Sequence, residues 1–251
     1  MAATHAQGPG PGPRPGPDPA DRSSYAQRRV SYQSGTLTDE QLAATPMEQF
    51  ERWYADAVAA ALPEPNAMVV ATVDAAGLPS ARTVLLKQAD PRGFVFYTNY
   101  GSRKARAIEA GAGAVALVFP WHPMQRQICA LATADRVPAE ETRAYFGQRP
   151  WGSRIGAWAS RQSEPIADRE QLEERYAQLA ARWPDHGRPD DVPVPDSWGG
   201  YVLRPFEVEF WQGRPSRLHD RLAFVAASGS SPASRPAMDD AAGWRVQRRQ
   251  P

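Results

Sequence analysis

The segment Tyr97-Thr98-Asn99-Tyr100-Gly101-Ser102-Arg103-Lys104 sets two cations directly after a serine that occupies a helix N-cap position. Cations in a first helical turn oppose the helix macrodipole by about 0.3–1 kcal/mol each. A bound anion reverses that sign, because free backbone N–H groups and both side chains then converge on it. A solvated helix end explains the same residues, and the segment alone does not choose between the two. Upstream, Arg82-Thr83-Val84-Leu85-Leu86-Lys87 carries a charge at each end. As a strand it turns Arg82, Val84 and Leu86 to one face and Thr83, Leu85 and Lys87 to the other. The two charges then read as solvated strand ends or as contacts to two separate anions.

Tyr145, Arg149 and Ser153 recur every four residues, with Pro150 ending the helix between them. Tyr145 and Arg149 share a face, and the turn brings Ser153 near. A phenol, a guanidinium and a hydroxyl form a donor set for a phosphate; taken alone, surface packing is the better account of them. Ser160-Arg161-Gln162-Ser163 adds neutral donors. In Glu209-Phe210-Trp211-Gln212-Gly213-Arg214-Pro215-Ser216-Arg217-Leu218-His219-Asp220-Arg221, an aromatic pair leads through a turn to Arg217, His219 and Arg221. An extended backbone there points all three to one face, where they need an anion or an acid between them. Arg82, Lys87, Arg103, Lys104, Arg149, Arg217 and Arg221 together exceed what one small phosphate requires. The sequence has no Ser-His-Asp triad, reactive-cysteine context, Walker A loop or dinucleotide-binding glycine pattern. Many anion binders with few nucleophiles point to a bound cofactor as the agent of the reaction.

These residues are carried by short strands with helices between some of them. Thr45-Pro46-Met47-Glu48 is a capping box with proline at the first helical position, and Phe50, Tyr54, Ala57, Val58 and Ala61 share a face after it. Ala67–Asp74 has the nearly all-apolar composition of a strand buried on both faces. Strands follow at Ala81–Lys87, Gly93–Thr98, Ala114–Phe119 and Gln125–Arg136, with a short helix at Ser102–Glu109. Helices then start at Val137-Pro138 and near Asp168, the second running to Arg182. Gly200–Phe210, Leu222–Val225 and Trp244–Gln247 read as strands again. The pattern predicts a mainly β fold, an antiparallel barrel with helical additions, because no regular helices separate the strands as a doubly wound sheet requires.

The chain has 251 residues with 29 Lys+Arg against 28 Asp+Glu, so no polyanion-binding surface is expected, neither nucleic acid nor membrane. One cysteine excludes a disulfide framework, and the four histidines lack metal-ligand spacing, so no metal is expected. No apolar run reaches the roughly 20 residues of a membrane helix, and no signal core is present, so a cytoplasmic location is expected. Residues 1–24 read as a disordered Pro/Gly-rich tail, and 25–251 as a single domain with a flexible loop at about 226–243.

In order and spacing, the sequence resembles the pyridoxamine 5′-phosphate oxidases. The resemblance rests on Arg82–Lys87, Phe96–Asn99, Gly101–Ala105, Phe119–His122, Arg126-Gln127, Tyr145-Phe146, Arg149-Pro150, Ser153 and Ile155–Trp158. It continues through Gln162-Ser163, Trp198–Gly200, Glu209–Gly213 and the diagnostic Arg217-Leu218-His219-Asp220-Arg221. It implies a homodimeric FMN-binding split β-barrel with the flavin at the subunit interface. The implied reaction oxidises pyridoxamine or pyridoxine 5′-phosphate to pyridoxal 5′-phosphate, with O2 giving H2O2. By the same resemblance Arg82, Thr83, Val84, Leu85, Tyr97, Thr98, Ser102, Arg103, Lys104, Gln127, Gln162, Ser163, Trp211 and Arg221 hold FMN. Lys87, Tyr145, Arg149 and Ser153 grip the substrate phosphate, Arg217 and His219 position the reacting ring, and Arg29 and Tyr32 belong to an element folded over the site. A related oxidase acting on a phenazine precursor, and a flavin-binding protein without turnover, are the alternatives; a substrate lacking phosphate has no need of the Lys87, Tyr145, Arg149 and Ser153 set. The long 226–243 segment and the ending Arg249-Gln250 depart from the family pattern.

Overall fold

The computed structural model describes residues 31–33 and 35–251; the expected tail 1–24 and Arg29 lie outside the described residues. Helix α1 (Pro46–Ala59) starts at the capping signal: the Thr45 hydroxyl accepts the Glu48 N–H, and the Glu48 carboxylate accepts the Ala44 N–H. Its apolar stripe is centred on Phe50, Trp53 and Ala57, which leaves Val58, expected on that face, 54% exposed at the margin.

Among the described residues nine strands follow: β1 (Ala67–Val73), β2 (Pro79–Leu85), β3 (Gln88–Asp90), β4 (Gly93–Asn99), β5 (Ala114–Trp121), β6 (Arg126–Arg136), β7 (Trp198–Gln212), β8 (Asp220–Ala226) and β9 (Trp244–Arg248). All pair antiparallel in the order β2-β1-β5-β6-β7-β4-β3, with β8 added to β7 and β9 to β8. The long β7 serves two neighbours on one side, β4 along residues 198–203 and β8 along 207–212.

The two ends of this order, β2 and β3, are one continuous run of chain. Between them the Leu86 N–H donates to the Asn66 carbonyl beside β1, and the Lys87 N–H donates to the Val95 carbonyl on β4. The sheet therefore curls until a single extended segment closes it. Phe50, Phe94, Phe96, Phe119, Tyr201, Phe210 and Phe224 fill the interior. Each such buried side chain contributes about 1.5–3 kcal/mol. Strand β1 alternates buried Met68, Val70 and Thr72 with half-buried neighbours. The expectation that it is buried on both faces is corrected: only one of its faces lies on the core.

Helices α2 (Arg103–Ala110), α3 (Ala139–Gln148), α4 (Trp151–Ala159) and α5 (Arg169–Arg182) surround the sheet. Pro150 does end α3, but it also caps α4, a helix that the sequence reading did not anticipate. Arg149, extended as residues before proline prefer to be, forms the joint (φ −71°, ψ 145°). Within the 226–243 segment, Met238 is fully buried; its N–H donates to the Pro91 carbonyl, and its own carbonyl accepts the Met47 N–H. Among the described residues no helix is long and apolar enough to cross a membrane.

The tightest turn of the closure lies at Gly93, whose φ is +141° and where a Cβ would sit 1.9 Å from the Leu203 carbonyl oxygen. We expect Gly93→Ala to destabilise the protein by about 3 kcal/mol. Gly77→Ala, also at positive φ but in open space, should cost about 1 kcal/mol. Urea unfolding of both variants measures the contrast.

Candidate functional site

Where β2, β4, α2 and the α3–α4 joint meet, they enclose a cavity of about 930 Å³. Arg82, Thr83, Val84 and Leu85 from β2, Lys87 from the closing segment, Tyr97 and Thr98 from β4, and Lys104 from α2 line one part of it. Tyr145, Arg149, Ser153 and Gln162 line the rest. Arg82 and Lys87, expected on opposite faces of one strand, thus reach one cavity. β2 stops at Leu85, and the chain passes to its second partner before Lys87.

Lys104 is only 8% exposed, and its Nζ donates to Thr98 Oγ1 at 3.0 Å and Gln162 Oε1 at 2.8 Å. Burial, helped by the nearby Arg82, lowers its pKa to about 8. Ser102 caps α2 as expected by accepting the Ala105 N–H. Arg103 does not converge with Lys104; its guanidinium lies 4.0 Å from Asp74, because adjacent helix positions face apart. Arg82 ties β2 to β1 by donating to the Val70 carbonyl and Thr72 Oγ1, and burial and Arg103 lower its pKa.

Opposite, Tyr97 stacks on Tyr145 at 4.0 Å between ring centroids and on Trp198 at 5.4 Å. Arg149 lies over the Trp198 ring at 4.7 Å. Its buried Nη1 has no hydrogen-bond partner among the described residues, and burial lowers its pKa. No Asp or Glu is among the described residues lining the cavity, and none of Arg82, Lys87, Lys104 or Arg149 has a carboxylate partner there. A buried cation with neutral partners and an orphaned guanidinium N–H are what an anion-bearing ligand would satisfy. The residues present therefore fit a phosphorylated cofactor.

The remaining expected site residues form a second group that does not line this cavity. Gln127, Trp211 and Arg221 are register partners across β6, β7 and β8. Arg217, His219 and Arg221 do not alternate along a strand as expected. Pro215–Arg217 forms a 3-10 turn, Arg217 has φ +63°, and β8 begins only at Asp220. Arg221 is clamped on Glu209 by two hydrogen bonds, 3.1 and 2.9 Å, and also donates to the Gln250 carbonyl. His219 packs 4.6 Å from Trp211 and 5.7 Å from Tyr32, and its Nδ1 accepts the Arg214 N–H at 3.0 Å. Desolvation and Arg217 lower its pKa, against Asp220. Ser163, at φ +75°, lies in a small neighbouring depression with Ser160 and Glu164.

Two family descriptions match the chain. Residues 54–182 match "Pyridoxamine 5′-phosphate oxidase", and residues 198–251 match "Pyridoxine 5′-phosphate oxidase C-terminal dimerisation region". A pyridoxine/pyridoxamine 5′-phosphate oxidase from Kineococcus radiotolerans is 58% identical over 226 residues, 90% of this chain and 98% of that protein. The chain belongs to the pyridoxamine 5′-phosphate oxidase family. A second relative of the same name, from Streptomyces avermitilis, is 50% identical over 90% of this chain and 96% of its own length. Among solved structures, PhzG from Burkholderia lata in complex with tetrahydrophenazine-1-carboxylic acid superposes with a TM-score of 0.74 at 28% identity. That likeness covers 88% of this chain and 100% of PhzG.

In this family member the structure also places at the two groups residues that the sequence reading left out of the site. Trp198 builds the aromatic platform, and its signal was its place before Gly199 and Gly200, where side chains would collide with Tyr100 and Tyr97. Glu209 holds Arg221 and also presses on Cys129, whose pKa burial first and Glu209 second raise to about 11. Its signal was an acid set between the apolar Val208 and Phe210 of β7.

The charge state of Lys104 gives the cavity a pH dependence. Sulfate, which does not titrate in this range, should bind with constant affinity from pH 6 to 7. Its affinity should then fall by up to about tenfold per pH unit above pH 8, as Lys104 loses its proton. Calorimetric titration should find the slope absent in Lys104→Met, which also binds more weakly at pH 7.

Proposed function

We propose that this chain is an FMN-dependent oxidase that converts pyridoxamine 5′-phosphate and pyridoxine 5′-phosphate to pyridoxal 5′-phosphate, with O2 as acceptor and H2O2 as product. The observation that carries the reading is the charge balance of the cavity, four cations and no carboxylate among its described lining residues. Cofactor and substrate each bring one phosphate, which uses two sets of cations.

The FMN assignment takes Arg82, Thr83, Val84, Leu85, Tyr97, Thr98, Ser102, Arg103, Lys104, Gln162 and Ser163 from around the cavity, with Gln127, Trp211 and Arg221 from the second group. Lys87, Tyr145, Arg149 and Ser153 take the substrate phosphate, and Arg29 and Tyr32 belong to an element folded over the site. Arg217 and His219 orient the pyridine ring. Residues split between two groups suit a homodimer in which each subunit completes the other's site, and the match of residues 198–251 to a dimerisation region supports it.

Held by these residues, FMN would supply the acceptor for a hydride from the substrate's side-chain carbon, with O2 as the terminal acceptor. The chain's residues supply orientation. Because the Arg214 N–H occupies Nδ1, neutral His219 carries its proton on Nε2 and acts as a hydrogen-bond donor. Desolvation and the nearby Arg217 disfavour its protonated form. Arg149 and Lys87 fix the phosphate end, so the reacting carbon is held at a set reach from that anchor. For the amine substrate the balance takes up one water and releases ammonia; for the alcohol no water is needed. Lys87, Tyr145, Arg149 and Ser153 favour this reaction over that of a phenazine-precursor oxidase, whose substrate lacks phosphate.

Arg217→Ala is expected to keep FMN and lose most turnover. Lys104→Ala is expected to weaken FMN binding by about 10–100-fold, the worth of one charged hydrogen bond or two. Flavin absorbance of the purified proteins, with O2-dependent formation of pyridoxal 5′-phosphate, tests both. Equal flavin loss in the two variants would count against the assignment, and turnover of an unphosphorylated aromatic in place of the vitamer would favour the phenazine-type reading.

A further inference from the structure

Asp220 opens β8 directly after His219, and its carboxylate, 20% exposed, gathers three segments far apart in sequence. Oδ2 accepts the Leu37 N–H at 3.1 Å and lies 3.7 Å from Arg214 Nε. Oδ1 accepts from Arg248 Nη1 at 3.2 Å, and Arg248 also donates to Asp39 at 2.9 Å. Arg214 in turn donates its N–H to His219 Nδ1 and its Nη1 to the Gly35 carbonyl at 3.2 Å. Tyr32, three residues before Gly35, has its ring 5.9 Å from Trp211 and 5.7 Å from His219.

We propose that Asp220 is a positioning residue for the substrate: one carboxylate that locks the stretch carrying Tyr32 and the turn carrying Arg217 and His219 into a single wall. The inference rests on the oxidase reading above. Asp220 acts through its neighbours: its acceptors are taken by Leu37 and Arg248, with Arg214 alongside. Without it, the Arg214 guanidinium loses its carboxylate neighbour and keeps only the Gly35 carbonyl, and the N–H that fixes the His219 tautomer is less firmly placed. The strap of residues 35–39 loses its attachment to β8 at the same moment. A role confined to stabilising the β8–β9 edge would leave the wall's contacts with substrate unchanged.

The test uses the FMN-loaded, full-length protein. Asp220→Ala is expected to raise KM for pyridoxine 5′-phosphate, and Kd for pyridoxal 5′-phosphate, by about tenfold or more, a displacement effect rather than a lost contact. FMN affinity should stay within about twofold of the parent, since Asp220 does not line the cation-lined cavity and Arg221 keeps its own hold on Glu209. Amide hydrogen exchange should accelerate at residues 35–39 and 214–219. Asp220→Asn, which can still accept a hydrogen bond, should fall between the two. Gly213→Ala provides an arm independent of the carboxylate, because its Cβ would lie 2.9 Å from the Tyr32 ring; it should reproduce the rise in Kd. If Asp220→Ala does not fold, Asp220→Asn and Gly213→Ala decide. Faster exchange with unchanged KM and Kd overturns the proposal, as does a parallel loss of FMN. Failure of the parent protein to form pyridoxal 5′-phosphate instead overturns the oxidase reading, and the exchange and binding measurements then still show whether the junction holds.

Discussion

The architecture depends on one run of chain, residues 79–90, that hydrogen-bonds to β1 along its first part and to β4 along its last. No neighbouring strand could close the sheet on its own. Because Leu86 and Lys87 bond to opposite partners, β2 and β3 become the two ends of a curled sheet and are covalently joined. This closure decides where the charges go. Within a single regular strand Arg82 and Lys87 would be separated by the sheet; the change of partner at Leu86 turns both toward the same cavity. Gly93 is the concession the backbone makes for it, a residue without a side chain where β3 and β4 turn under the Leu203 carbonyl.

Around that cavity the protein leaves positive charge without carboxylate partners, although several arginines elsewhere are paired with acids. Arg92 is held by Asp90 and Glu141, Arg221 and Arg249 share Glu209, and Arg248 bridges Asp39 and Asp220. A near-neutral total therefore hides a local excess. Buried, unpaired cations are costly to keep, and the lowered pKa of Lys104 shows that cost directly. The cost makes sense in a site whose ligands bring the missing anions.

What could be read from the sequence follows the range of the interaction involved. Thr45 and Ser102 cap their helices as expected, since a cap is a contact between residues three apart. The family motifs and the β class were legible for similar reasons. Helix α4 was not, because Pro150 announces an end but not a restart. The restart depends on distant partners: Trp151 and Trp158 donate to the carbonyls of Trp183 and Pro193. The alternation of Arg217, His219 and Arg221 suggested a strand, yet Pro215 and the Arg214–His219 hydrogen bond impose a turn. The meeting of Arg82 with Lys87 was equally invisible, since it depends on which strands lie at the two ends of the sheet.

Glu209 has one more effect, on the chain's single cysteine. Cys129 faces Glu209 across β6 and β7, and with burial this raises the thiol pKa to about 11. At neutral pH roughly one molecule in ten thousand then carries the thiolate, the form that peroxide attacks. Burial, together with the same carboxylate that anchors Arg221, thus keeps the chain's single sulfhydryl largely in its unreactive thiol form.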